Sequence, residues 1–84
     1  MTNAEIAEPV LRELLETIYR CISDQPPSIE MVLGTAFIDI NVIPAEGTVG
    51  QLLGKKGAHA AAVRTLLHAT AGKYHVRLEF SIQG

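Results

Sequence analysis

Two glycines enclosing two lysines constrain this chain more than any other feature. Gly54-Lys55-Lys56-Gly57 follows a short apolar segment, Val49 to Leu53, and precedes Ala58 to Ala71, which reads as a helix. A glycine loop that ends one helix and starts the next presents free backbone N–H groups at a positive helix N-terminus. Glycine also lets another molecule approach the backbone closely. With Lys55 and Lys56 between the glycines, the loop suits a polyanion, above all a nucleic-acid phosphate backbone.

The rest of the chain supplies the elements around this loop. Val10, Leu11, Leu14, Leu15, Ile18, Cys21 and Ile22 recur at helical spacing. Pro9 fits a first helical turn, so the helix is expected to start near Glu8, with residues 1–7 as a flexible N-terminal extension. Asp24-Gln25-Pro26-Pro27-Ser28 stops it. Ile29 to Leu33 and Ala36 to Ile43 alternate as strands, and their short separation predicts an antiparallel hairpin. Thr48 to Leu53 reads as a short helical turn capped by Gly47 or Thr48. Behind the loop, Ala62, Val63, Leu66, Leu67 and Thr70 form one helical face, Ala60, Ala61 and Ala69 allow close packing, and Gly72 is placed as the C-cap. Tyr74 to Ile82 alternates as a last strand, with Tyr74, Val76, Leu78, Phe80 and Ile82 inward. The order is helix, strand, strand, helix, helix, strand. One three-stranded mixed sheet with three helices on one face would bury every apolar set, giving an α+β domain over 1–84.

Composition narrows the function. The 84 residues make one domain, 48% apolar, enough for one core. Cys21 is alone, so no internal disulfide forms, and among helical apolar neighbours it is expected to be buried. No apolar run is long enough to span a membrane. Met1-Thr2-Asn3-Ala4-Glu5 lacks the basic and apolar regions of a signal peptide, so the expected compartment is the cytoplasm. The net charge of −2 hides an asymmetry: residues 1–46 carry eight acids and two bases, and residues 47–84 carry five bases and one acid. Solvated faces explain such a split; so does a polyanion held by the second half.

Catalysis finds no support. No paired carboxylates, Ser/His set or Cys/His set stands at working spacing. A P-loop needs four residues between its glycines and Lys-Ser or Lys-Thr after them; Gly50 and Gly54 enclose three, and Lys56 follows Lys55. His59, His68 and His75 have no i, i+4 pair, so neither a metal nor another cofactor is expected. Tyr19, Phe37, Tyr74 and Phe80 are too few for an aromatic stacking platform.

The element order and the loop resemble the type II KH fold, and most nearly the small bacterial single-KH-domain RNA-binding proteins. Gly50-Gln51-Leu52-Leu53-Gly54-Lys55-Lys56-Gly57 is similar to the family signature G-x-[IVL]-[IVL]-G-x-x-G. Arg64-Thr65-Leu66-Leu67 resembles a recurring R-T-L-L behind the loop, and Asp24-Gln25-Pro26 resembles a D-N-P near the family's start. The likeness covers roughly residues 8–82.

The resemblance implies a groove for about four unpaired nucleotides of single-stranded RNA. Gly54 to Gly57 would hold the sugar-phosphate backbone, with Lys55 and Lys56 adding charge and Gly50 opening the signature on the adjoining segment. Leu52, Leu53 and Ala61 would give an apolar floor, and Arg64 stands behind the loop. His75, Val76 and Arg77 would form the far wall. Ala58 stands where the family usually carries a basic residue, and His59, when protonated below about pH 6.5, would add a phosphate contact. The implied partners are single-stranded RNA and a second copy of the chain or another RNA-binding protein, with no membrane and no small-molecule substrate. The rival readings are a KH-like protein-interaction module that has lost RNA binding, and a single-stranded DNA binder.

Overall fold

The computed structural model describes residues 1–84. The elements are α1 (Asn3–Ile22), β1 (Ser28–Leu33), β2 (Phe37–Ile43), α2 (Val49–Leu53), α3 (Ala58–Lys73) and β3 (Arg77–Ile82). A 3-10 turn, Lys55–Gly57, separates α2 from α3. This is the expected α-β-β-α-α-β order. β2 is central, antiparallel to β1 and parallel to β3. The parallel pairing follows from the helices between β2 and β3, which carry the chain back across the sheet.

Alternation along β2 sends Ile38, Ile40 and Val42 into the core, where Leu78 and Phe80 of β3 join them. Leu11 and Leu15 of α1, Leu52 of α2, and Val63 and Leu67 of α3 close over them. The opposite face of the sheet carries Glu30, Asp39, Asn41, Glu79 and Ser81, together with Val32, Phe37, Ile43 and Arg77. In register, Glu30 sits beside Asn41, and Asp39 beside Glu79. The acids of the sheet therefore gather on the helix-free face.

Five expectations need correction. First, α1 starts at Asn3, not near Glu8, and Pro9 lies inside it. Thr2 and Glu5 form a capping box: Glu5 N–H donates to Thr2 Oγ1 at 3.1 Å and Thr2 N–H to Glu5 Oε1 at 2.9 Å. The backbone N–H of Thr2 also holds the Glu5 carboxyl below its usual range. Ala4 and Ala7 are fully buried, so residues 3–7 are packed helix rather than an extension. Second, the buried face of α3 is Ala60, Val63, Leu67 and Ala71, while Leu66 is 50% exposed. An alanine-rich helix is apolar almost all round, so periodicity alone leaves its rotation loose. Third, α3 runs past Gly72 to Lys73, and the left-handed residue beyond it is His75, at φ 59°. Fourth, β3 begins at Arg77, because that left-handed turn occupies the residues before it. Fifth, Cys21 is exposed: Tyr19, not Cys21, takes the last buried position of α1.

Tyr19 is buried with no hydrogen-bond partner for its hydroxyl. Desolvation pushes its phenol up to about 12, above the ~10 of an exposed tyrosine. Ionisation is thus disfavoured in the folded state. Stability is full below pH 10 and falls as the pH rises toward 12. Tyr19→Phe removes the orphaned hydroxyl, so it should raise the unfolding free energy by about 1 kcal/mol near neutral pH. It should also flatten the alkaline loss. Urea titrations at pH 7 and pH 11 check both effects.

Candidate nucleic-acid interface

The loop is built by abandoning helical geometry at defined points. The last α2 bond runs from Gly54 N–H to the Gly50 carbonyl, at 2.9 Å. Gly54 then turns to φ 73°, ψ 173°, a region that glycine alone occupies readily. Lys56 (φ 57°, ψ 27°) and Gly57 (φ 75°, ψ 17°) follow in left-handed conformation. For Lys56, a residue with a Cβ, that conformation costs about 1–2 kcal/mol. The turn closes through Gly57 N–H to the Gly54 carbonyl, at 3.1 Å, and through Ala58 N–H to the Lys55 carbonyl. The N–H groups of Lys55 and Lys56 take no part in these bonds. Both lysine side chains are exposed. The structure has one ion pair, Glu8–Arg12, so neither lysine is neutralised by an acid.

His59, the second residue of α3, is tied to the loop's other side. Its Nδ1 lies 2.8 Å from the Gln51 carbonyl. A carbonyl only accepts, so Nδ1 carries the proton and Nε2 is left free. The ring lies against Gly54: a Cβ there would stand 2.5 Å from His59 Cγ.

The second wall is the open edge of β3. The N–H groups of Arg77 and Gln83 donate to Ala36 and Val42 on the β2 side, at 2.9 and 2.8 Å. Alternation then turns the backbone groups of Leu78, Phe80 and Ile82 to the open edge. Arg64 bridges the two walls. Its guanidinium lies 5.4 Å from the Phe80 ring centroid, and Nη2 donates to the Phe80 carbonyl at 3.4 Å. Ala61, Arg64 and His68, at helical spacing, share the flank of α3 that faces this edge.

The candidate residues are therefore only partly gathered. Gly54, Lys55, Lys56, Gly57, His59, Ala61 and Arg64 come together, with Gly50 and the 38%-exposed Leu53 on the adjoining α2. Leu52 is fully buried in the core and offers no surface for a base. His75 and Arg77 follow the far end of α3, a 16-residue helix, and so lie roughly 24 Å from the loop by helical rise. Arg77 also points to the helix-free face, as its exposed place in β3 requires. Sequence reading missed the Phe80–Ile82 edge and His68. Strand parity would have found the edge, and the i, i+4 step from Arg64 would have found His68. Across the chain, no three His, Cys, Asp or Glu side chains gather as a metal-ligand group, and no helix is long and apolar enough to cross a membrane.

Comparison with known proteins gives a consistent set. The family model described as KhpA/KhpB, KH domain, matches residues 12–82. The chain is 31% identical over 74 residues to the RNA-binding protein KhpA of Chlamydia trachomatis serovar D, covering 86% of this chain and 95% of the relative. It is 32% identical over 74 residues to the protein of that name from Clostridium acetobutylicum, covering 86% and 99%. It is 35% identical over 68 residues to that of Caldanaerobacter subterraneus subsp. tengcongensis, covering 79% and 91%. No solved structure matches.

Proposed function

The chain belongs to the KhpA/KhpB KH-domain family, and on that premise we propose that it binds single-stranded RNA, without catalysis, through its Gly54–Gly57 loop. The observation that carries this reading is the loop itself: two unpaired lysines on a left-handed turn at the start of a long helix, beside an open strand edge. The relatives' printed role as RNA-binding proteins supports it. Backbone N–H groups and lysines would hold phosphates, and the Phe80–Ile82 edge would offer N–H and C=O groups to splayed bases. Arg64 must release the Phe80 carbonyl, or share it, when a base docks there. The acidic helix-free face keeps a polyanion off the other side of the sheet. We place the protein in the cytoplasm.

One groove reads only about four nucleotides, so useful affinity calls for two linked grooves, and we propose a homodimer. A furrow between α1 and α3, lined by Ile18, Ile22, Ala62 and the exposed Leu66, supports that reading. It lies on the flank of α3 opposite Arg64, with His59 at its loop end, so pairing there would leave Arg64 and the open β3 edge accessible.

Fluorescence anisotropy with a degenerate single-stranded RNA pool, run against a matched DNA pool, tests the function. RNA should bind more tightly than DNA, with a log–log salt slope of about −3 for four phosphates. Absence of binding at low salt and high protein concentration would overturn the reading. Sedimentation of the same samples should give a dimer, and a strict monomer would remove that part.

A further inference from the structure

The five-residue helix α2 is too short to hold itself. Its N-cap, Thr48, gives its backbone no side-chain bond, and the Thr48 hydroxyl donates instead to the Ala45 carbonyl at 2.7 Å. Leu52 anchors one side of α2 in the core. What sets its angle on the other side is Gln51. The Gln51 amide Nε2 donates to Asp24 Oδ2 at 2.7 Å, and Asp24 N–H donates to Gln51 Oε1 at 3.0 Å. Ser23 Oγ lies 3.3 Å from the same oxygen, but its one proton goes to the Gln25 carbonyl at 2.7 Å. Both ends of the Gln51 amide meet one residue, so only one orientation of it is satisfied. The Gln51 carbonyl then receives His59 Nδ1 at 2.8 Å. Gln51 thus ties the end of α1 to the first turn of α3, across the base of the loop.

From this we propose that Asp24, Gln51 and His59 form a brace that fixes the loop's shape before RNA arrives, with Asp24 and Gln51 acting as positioning residues. The inference rests on the RNA-binding reading of that loop. The loop needs such a brace because Lys56 holds a strained conformation that persists only when its surroundings impose it. The brace also gives a role to the Asp24-Gln25-Pro26 segment, which no groove contact explains.

Electrostatics and the brace predict opposite signs for one variant. Asp24→Ala deletes an acid, so charge alone makes it bind RNA more tightly, whereas loss of the brace makes it bind more weakly. Gln51→Glu sets two carboxylates against each other. Asp24→Asn with Gln51→Glu restores the side-chain bond with donor and acceptor exchanged, and keeps the backbone N–H of residue 24 donating to a residue-51 oxygen, at unchanged net charge. The experiment measures amide hydrogen exchange in the free protein and RNA anisotropy, with circular dichroism as the folding control. Gln51→Glu should speed exchange at the hydrogen-bonded loop amides Gly54, Gly57 and Ala58, leave the β2 amides protected, and weaken RNA binding about fivefold. The double variant should return both to native values. Should Gln51→Glu unfold, Gln51→Met breaks the brace without added charge and is expected to show the same pair of effects. Tighter binding by Asp24→Ala, native loop exchange in a folded brace variant, or no recovery in the double variant would overturn the proposal. Loop exchange is read without RNA, so the brace stands or falls separately from the RNA-binding reading.

Discussion

Replacing Lys55 and Lys56 together by aspartate is expected to weaken single-stranded RNA binding at low salt by at least about 100-fold. Each lysine that neutralises a phosphate contributes about 0.7 to the log–log salt slope, so removing both should flatten it by about 1.4. Reversing the sign adds repulsion at the same site. The fold should not change. Both side chains are exposed and free of ion pairs, so no internal contact is lost. Position 56, at φ 57°, accepts aspartate more readily than lysine, because a short polar side chain tolerates the left-handed region. The melting temperature should therefore hold or rise slightly. Lys55→Gln with Lys56→Asn separates the two causes: it should lose the slope without the added repulsion. A salt series of anisotropy titrations reads all three proteins. If the aspartate variant is folded and binds like the native protein, the loop is not the phosphate clamp.

The loop was legible because its chemistry is local. A helix break, three glycines and two lysines are visible in eight residues, and the strands on either side carry clean alternation. What stayed hidden depends on contacts between distant segments. Thr2 to Glu5 already spelled a capping box, but Pro9 outweighed it, since proline is common in a first turn and costly in a helix interior. Packing of Ala4 and Ala7, with Ala4 N–H donating to the Thr35 carbonyl at 3.1 Å, offsets that cost. The rotation of α3 is set by what it meets, not by its own nearly uniform apolar composition. His75 and Arg77 stand away from the loop because the chain reaches them only at the far end of the 16-residue α3, and Arg77 faces the helix-free side, a placement that strand alternation alone does not give. The pairing of Asp24 with Gln51, 27 residues apart, has no signature at all in sequence spacing.

Replacing Gly54 by alanine should damage the loop more than any other single methyl group in this chain. Two independent constraints meet there. The backbone sits at φ 73°, ψ 173°, where a side chain costs about 1–3 kcal/mol in strain. The new Cβ would also lie 2.5 Å from His59 Cγ and 2.8 Å from the His59 backbone nitrogen. The ring could swing aside, at the cost of its bond to the Gln51 carbonyl. The backbone nitrogen can move only if the start of α3 moves with it. A total of about 2–3 kcal/mol corresponds to a melting temperature lowered by roughly 10–20 °C. The alternative is that the loop relaxes locally and RNA affinity falls instead, by about 30-fold or more. Gly54→Ala combined with His59→Ala should recover part of the loss, since the ring clash goes but the φ strain and the backbone clash stay. Gly50→Ala is the opposite case within the same motif. A Cβ at Gly50 meets open space, and its backbone is helical. Alanine there should stabilise α2 by about 0.5–1 kcal/mol and leave RNA binding intact. Thermal melts and anisotropy on the two alanine variants check the contrast. A Gly54→Ala protein that melts and binds RNA like the native one would mean that the loop does not hold the geometry described.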